Sequence, residues 1–174
     1  MINHQTIIAL DMDGVLNSHE YFKATYNERH NKEIEELYPE DGYWLSMIDP
    51  EKVSLLNQII EATGAVVVIS SSWRITNSYS DMQRLLDQKG FIGKIIGATP
   101  KTYQLEDGSW SCRGDEIQHW LDSVTNASIA KELKFVILDD NSDMGHLKER
   151  LILTTWQQGL LKEHVDRAIA MLLS

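Results

Sequence analysis

The chain has 174 residues, of which 43% are hydrophobic and 24% are charged. These values are typical of a globular domain with a buried core, and they exclude an intrinsically disordered chain. The sequence contains 16 Lys and Arg residues against 26 Asp and Glu residues, which gives a formal net charge of -10. This charge disfavours tight, sequence-independent binding to long nucleic acids. A small phosphorylated molecule or a nucleic-acid end stays compatible with it, because a local site can differ in sign from the whole protein.

Signals for a membrane or for secretion are missing from the sequence. No apolar run approaches the ~20 residues of a membrane helix, and residues 1–5 lack the basic head and apolar core of a secretory signal. The single cysteine, Cys112, cannot form an intrachain disulfide, which suits a reducing compartment. We therefore expect a cytoplasmic protein with no membrane association and no obligate protein partner, folded as one domain over residues 1–174.

Short apolar runs alternate with helical patterns along the chain, as in α/β proteins with a parallel sheet. The runs are almost continuously apolar, as expected for strands that are covered on both faces. The pattern predicts a three-layer α/β, Rossmann-like fold with about five parallel strands and helices on both faces. The predicted strands are Thr6–Leu10, Ala65–Ile69, Lys94–Ile96, Phe135–Leu138 and Leu151–Leu153.

Four apolar stripes with helical spacing fill the gaps between these strands. The first has the clearest ends, since Asp49 is a candidate N-cap, Pro50 suits the first helical position and Gly64 suits a C-terminal stop. The other three stripes are Met82–Leu86, which precedes Gly90, Ile117–Leu121 and Leu161–Leu172.

Two segments fall outside this alternation. Residues 17–48 follow the first strand and are rich in aromatic and charged residues, and residues 99–112 contain Asp107-Gly108, a hairpin signal. Loops beyond strand ends carry the function in such sheets. We therefore expect residues 17–48 to be a small cap or insertion, residues 99–112 to be a hairpin near the site, and both to set substrate specificity.

Clustered carboxylates follow two of the predicted strands. Asp11 and Asp13 come directly after the first strand, and Gly14 then allows the chain to turn sharply. Asp139 and Asp140 come directly after the fourth strand. Ligands of doubly wound sheets bind at the carboxyl ends of the strands, so these carboxylates meet if the first and fourth strands are neighbours.

Ionised carboxylates this close together repel each other unless a cation lies among them. Mg²⁺ prefers hard oxygen ligands and binds through a few carboxylates together with a substrate phosphate. The predicted magnesium ligands are Asp11 and the backbone carbonyl of Asp13, together with Asp139 or Asp140. Taken separately, the two acidic segments would be a turn and a helix cap, but their common position after buried strands favours a metal site.

The order of the acids suggests their chemical roles. Asp11 is the predicted nucleophile, because an aspartyl-phosphate divides a difficult hydrolysis into two easier steps. Asp13 is predicted to protonate the leaving oxygen and then to activate water for the second step. Asp143 is a weaker candidate, which either orients ligands or caps the following helix.

Candidate phosphate ligands follow the second strand and precede the third helical stripe. Ser70 and Ser71 are predicted phosphate ligands, because a hydroxyl at a strand tip and the amides beyond it can donate to phosphate oxygens. Arg113 is the predicted cation that neutralises the transferring phosphoryl group. Arg74 and Lys101 are alternatives, and the sequence leaves open which of the three bases contacts the phosphate.

With these residues assembled, the sequence resembles the haloacid dehalogenase (HAD) superfamily. Asp11–Gly14 matches its Asp-x-Asp-Gly motif, Ser70 matches its motif after the second strand, and Asp139-Asp140 matches its acidic motif after the fourth. The basic motif of the family falls on Arg113. The resemblance implies a HAD-type fold with a small or absent cap, a phosphatase activity that uses Mg²⁺, the first Asp of the first motif as nucleophile and the second as acid and base.

A narrower resemblance is to small HAD domains grouped with RNA-repair polynucleotide kinase-phosphatases. It rests on Leu10–Asn17, Ser70–Arg74, Arg113–Leu121 and Leu138–Asp140. The sequence departs from the phage repair enzyme after Ser70, because Ser72 stands where an arginine is expected two residues on, and Arg74 is the candidate substitute. The resemblance implies a 3′-phosphate end or a nucleotide as substrate.

The sequence therefore predicts a magnesium-dependent phosphomonoester hydrolase that acts on a nucleotide or a nucleic-acid phosphate end. Two alternatives stay open. One is a phosphatase of small metabolites, which the acidic net charge favours. The other is a non-catalytic binding module that keeps the fold.

Overall fold

The computed structural model describes residues 6–26, 42–106, 108–124 and 133–174. Within these ranges, five strands form one sheet in which every neighbouring pair is parallel. Their order in space is β3-β2-β1-β4-β5. The strands are β1 (Thr6–Leu10), β2 (Val66–Ile69), β3 (Ile95–Ala98), β4 (Lys134–Asp139) and β5 (Leu151–Leu153).

Helices connect the strands and cover both faces of the sheet. The residues predicted to end the longest helix do so. The Asp49 side chain caps its N-terminus by accepting from the Glu51 amide at 2.8 Å, and Gly64 ends the helix with φ of 66°. Among the described residues, no helix combines the length and apolarity needed to cross a membrane. The described α-helices are α1 (His19–Ala24), α2 (Gly42–Met47), α3 (Pro50–Thr63), α4 (Tyr79–Gln88), α5 (Arg113–Val124) and α6 (Lys162–Leu173), with 3-10 helices at Ser72–Ile75 and Gly145–Arg150.

The sheet has a hydrophobic core on each face. Alternate residues of β1 point in opposite directions, so Ile8 and Leu10 pack against α3, α4 and α6, whereas Ile7 and Ala9 pack against α5 and the second 3-10 helix. Burial on both faces explains why the strands read as continuous apolar runs. The predicted three-layer α/β fold is confirmed.

The predicted strand ends differ from the observed ones mainly at β3. The sequence predicted Lys94–Ile96, whereas β3 runs from Ile95 to Ala98. The part of β3 after Ile96 was not predicted, because it contains Gly97 and glycine has a low strand propensity. A Cβ at Gly97 would lie 3.1 Å from Nε1 of Trp120, so the missing side chain makes room for an indole of α5 against the sheet.

The order of the strands brings the sequence-predicted acids to one place. The chain moves outward from β1 through β2 to β3 and then returns to β4 on the other side of β1. The direction reverses between β1 and β4, and this switch point is where doubly wound folds bind ligands.

The two predicted insertions are described only in part. Of residues 17–48, the structure describes α1 and α2, and residues 27–41 lie outside the described residues. In the 99–112 segment, Gln104 and Trp110 form an antiparallel bridge, and residue 107 is not described. The division into one domain with a small cap therefore stays a prediction.

Candidate active site

The turn after β1 places Asp11 at the centre of the candidate site. The Asp11 amide donates to the Leu138 carbonyl at 2.9 Å, so pairing between β1 and β4 continues to the acid itself. Gly14 turns the chain with φ of 68°, and a Cβ there would lie 2.2 Å from Oδ2 of Asp140. Glycine is required for both reasons, because it supplies the left-handed turn and the space that Asp140 occupies.

Three of the predicted metal ligands converge at the switch point. Asp11, Asp139 and Asp140 each offer a carboxylate oxygen, and these oxygens lie within 4.8 Å of one another. Asp139 is fully buried, and its Oδ1 accepts from the Asn141 amide at 2.8 Å. Its Oδ2 makes no hydrogen bond to any residue that the structure describes. The three carboxylates offer the hard oxygen ligands that Mg²⁺ prefers, and a buried carboxylate oxygen without a hydrogen-bond partner is one that a cation would satisfy. The three residues therefore fit Mg²⁺.

The acids of this cluster resist ionisation. Burial, and after it the charge of Asp11, raise the pKa of Asp139 to about 7, against lowering by Arg113 and by the hydrogen bond from the Asn141 amide. Burial also raises the pKa of Asp11, against lowering by Arg113, the Ser71 side chain and the Met12 amide. A metal-free cluster therefore retains protons that a bound cation would displace.

In the metal-free protein, Asp139→Asn is expected to raise the free energy of unfolding by about 2–3 kcal/mol more at about pH 8 than at about pH 5. The pKa of Asp139 in the folded protein, about 7, lies above that in the unfolded chain. The native state therefore binds more protons, and its stability falls as the pH rises between the two values. Asparagine carries no charge to desolvate, so urea unfolding in EDTA at both pH values measures the difference.

Asp166→Asn is the control for this measurement. Asp166 pairs with Lys162 on the surface, and both side chains are largely exposed, so its loss is expected to cost less than about 0.5 kcal/mol at either pH. An Asp139→Asn variant with the same stability change at both pH values would contradict the burial argument.

Asp13 lies beside the cluster, and its carboxylate is held by two other residues. Asn17 Nδ2 donates to Oδ1 of Asp13 at 2.8 Å, and Trp73 Nε1 donates to Oδ2 at 3.1 Å. The side chain of Asp13 does not belong to the group of Asp11, Asp139 and Asp140. Metal binding by its backbone carbonyl stays a prediction.

Arg113, the first residue of α5, reaches the acids of both central strands. Its Nη2 lies 3.9 Å from Oδ2 of Asp11, and its Nε lies 3.9 Å from Oδ2 of Asp139. The helix can start this close to the β4 loop because residue 114 is glycine, where a Cβ would lie 2.1 Å from the Met144 carbonyl oxygen. The Nη1 of Arg113 is buried without a hydrogen bond to the described residues, so it has donors left for an anion.

The hydroxyl groups beyond β2 and β3 lie at the same edge of the sheet. The Ser70 amide donates to the Leu10 carbonyl at 2.8 Å, and its buried Oγ has no hydrogen-bond partner among the described residues. The Ser71 side chain bonds Asp11 and caps the first 3-10 helix. Thr99 at the end of β3 also has a buried hydroxyl without a described partner, and the sequence pattern did not single it out.

The other two candidate bases are placed differently. Arg74 donates to the carbonyl oxygens of Ser71, Thr99 and Pro100 and forms a 2.6 Å ion pair with Glu116. Most of its N–H donors are engaged within the protein, and its role as a substitute for the arginine that the resemblance led us to expect stays a prediction. The side chain of Lys101 is exposed. Of the three bases, Arg113 is the one that the structure pairs with the candidate catalytic acids.

Sequence analysis missed Asn17, Trp73 and Glu116. Asn17 and Trp73 lie within two of the four segments that carry the narrower resemblance, four residues after Asp13 and three after Ser70, and this proximity was the available signal. Glu116 lies within a third of these segments, but the sequence did not indicate its ion pair, since its partner Arg74 lies 42 residues away.

Comparison with known proteins gives one finding. The family model for the HAD domain in Swiss Army Knife RNA repair proteins matches residues 7–165. No curated protein and no solved structure matches the chain significantly. The matched range runs from β1 into α6, and thus contains all of the sheet except Thr6, together with the four acids of the candidate site, Asp11, Asp13, Asp139 and Asp140. The chain belongs to the family of HAD domains found in Swiss Army Knife RNA repair proteins.

Proposed function

We propose that the protein is a magnesium-dependent phosphomonoester hydrolase that acts through an aspartyl-phosphate on Asp11. The observation that carries the proposal is the convergence of Asp11, Asp139 and Asp140, with oxygens within 4.8 Å, beside Arg113. A surface cluster of acids would not need two central strands and a helix start to assemble it. Membership of the HAD family supports the same chemistry.

Asp11, Asp139 and Asp140 would hold the magnesium ion, with the backbone carbonyl of Asp13 as a further ligand. The bound ion supplies positive charge that lets ionised carboxylates and a phosphate dianion share one site. The unsatisfied Oδ2 of Asp139 supports this assignment, because a buried carboxylate oxygen is costly without a partner.

The chain's own residues then account for both half-reactions. A carboxylate oxygen of Asp11 attacks phosphorus as the bond between phosphorus and the substrate oxygen breaks, and Asp13 gives that oxygen a proton. In the second step Asp13 takes a proton from water, which attacks phosphorus and releases Asp11 and inorganic phosphate. Arg113 and the Ser70 hydroxyl would bind the phosphoryl oxygens and so keep the group in line for both steps.

The proposed substrate is a nucleic-acid phosphate end or a nucleotide. The support is the family itself, whose members are described as domains of RNA repair proteins. The second candidate is a small phosphorylated metabolite. The net charge of -10 favours it, because an acidic surface repels a long polyanion more than a small one.

A panel of phosphomonoesters assayed with Mg²⁺ and with EDTA tests the proposal. We expect hydrolysis of 3′-phosphorylated oligonucleotides and of p-nitrophenyl phosphate, with a loss of about 100-fold or more when EDTA removes the metal. Adding Mg²⁺ back should restore the rate. Better turnover of sugar phosphates than of oligonucleotide ends would favour the metabolite phosphatase, and equal rates with and without EDTA would contradict the metal site.

A further inference from the structure

We propose that Trp73 and Asn17 are positioning residues that hold the Asp13 carboxylate in its acid–base orientation. Trp73 Nε1 donates to Oδ2 of Asp13 at 3.1 Å, and Asn17 Nδ2 donates to Oδ1 at 2.8 Å. The inference rests on the proposed function, since it assumes that Asp13 exchanges a proton with the leaving oxygen.

The two donors fix the carboxylate from different parts of the fold. Asn17 belongs to the same turn as Asp13, whereas Trp73 comes from the 3-10 helix after β2. A carboxylate that accepts a hydrogen bond at each oxygen cannot rotate about its Cβ–Cγ bond without losing one of them. Each oxygen still has a lone pair that can carry the transferred proton.

Both donors are themselves held in place. Asn17 is 1% exposed, and its Oδ1 accepts from the Gly14 amide at 3.0 Å. Trp73 is 4% exposed, and its ring lies 4.6 Å from that of Trp44 between centroids. Because Trp44 belongs to α2, the 17–48 segment packs directly on the indole that donates a hydrogen bond to Asp13.

A positioning role predicts a specific dependence on the leaving group. An alkoxide, such as a ribose oxygen, needs a proton as its bond to phosphorus breaks, so it depends on a well-placed acid. A dinitrophenolate is a stable anion that leaves without a proton. Damage to the orientation of Asp13 should therefore slow alkyl phosphates much more than 2,4-dinitrophenyl phosphate.

Trp73→Phe keeps a ring against Trp44 and removes the N–H group. We expect kcat/KM for an alkyl phosphate to fall by ~10-fold or more and that for 2,4-dinitrophenyl phosphate by less than about 3-fold. kcat/KM is the informative constant, because it reports transfer of the phosphoryl group to Asp11. Trp120→Phe is the matched control, since Trp120 is a buried indole of α5 that packs on Gly97 in the core away from Asp13, and its ratio of the two constants should equal that of the wild type.

Asn17→Ser removes the other hydrogen bond to the Asp13 carboxylate. It should change the ratio of the two kcat/KM values in the same direction, so it tests the inference if Trp73→Phe does not fold. An equal loss on both substrates, or no loss on either, would overturn the inference while leaving the phosphatase proposal intact. A wild-type protein that hydrolyses neither substrate would instead overturn the proposed function.

Discussion

Replacing Asp11 by asparagine is expected to lower kcat on p-nitrophenyl phosphate by at least about 1,000-fold while the fold is kept. The amide has nearly the shape of the carboxylate but is a poor nucleophile, so no acyl phosphate forms. The variant should unfold at the same or a higher urea concentration in EDTA, because burial raises the pKa of Asp11 and the charge of Asp11 raises that of Asp139, so the substitution removes a charge that the buried cluster disfavours.

Asp87→Asn is the matched control for Asp11→Asn. Asp87 lies on the exposed face of α4, where it accepts a hydrogen bond from Gln83, and its substitution should leave kcat unchanged. Acid quenching followed by mass spectrometry should find phosphate on the Asp11 peptide of the wild type and of Asp87→Asn, and none on the corresponding peptide of Asp11→Asn. A folded Asp11→Asn protein that retains hydrolysis would contradict the assignment of the nucleophile, and an inactive wild type would favour the non-catalytic module.

The position of the candidate site could be predicted from the sequence because strand ends share an edge. Their apolar runs predicted β1 and β4. Because these two strands are neighbours in the sheet, the acids after their apolar runs lie close together. Ser70 follows by the same argument from β2. Arg113 was one of three candidates, because the position of a helix start relative to a strand depends on packing, here on the contact of Gly114 with Met144.

The contacts that orient the acids could not be predicted. Trp73 and Asp13 lie 60 residues apart, and which donor reaches a carboxylate is decided by rotamers and by neighbours such as Trp44. Arg74 illustrates the same limit, since its sequence context suggested a phosphate ligand. Only the folded structure shows that Glu116 and three carbonyl groups occupy its guanidinium.

Replacing Arg74 by methionine is expected to lower the free energy of unfolding by about 3–5 kcal/mol. The side chains of Arg74 and Glu116 are only 8% and 5% exposed, and their charged atoms lie 2.6 Å apart. Methionine fills much of the volume, but among the described residues it leaves the buried Glu116 carboxylate with the Thr102 hydroxyl, at 3.0 Å, as its one remaining side-chain partner. An unpaired buried charge is the main source of the expected cost, and urea unfolding measures it.

A double-mutant cycle with Glu116→Gln separates the ion pair from the packing of the arginine. We expect the double variant to be more stable than the sum of the single effects predicts, by about 1–3 kcal/mol, because the second substitution removes the unpaired charge. Arg84→Met is the surface control, since Arg84 and Asp81 are 51% and 46% exposed and its effect should stay below about 0.5 kcal/mol. Arg74 also joins the loops after β2 and β3 to the helix that carries Arg113, so a folded Arg74→Met protein should lose activity as well as stability. An additive cycle would show that the guanidinium acts through its carbonyl contacts and not through Glu116.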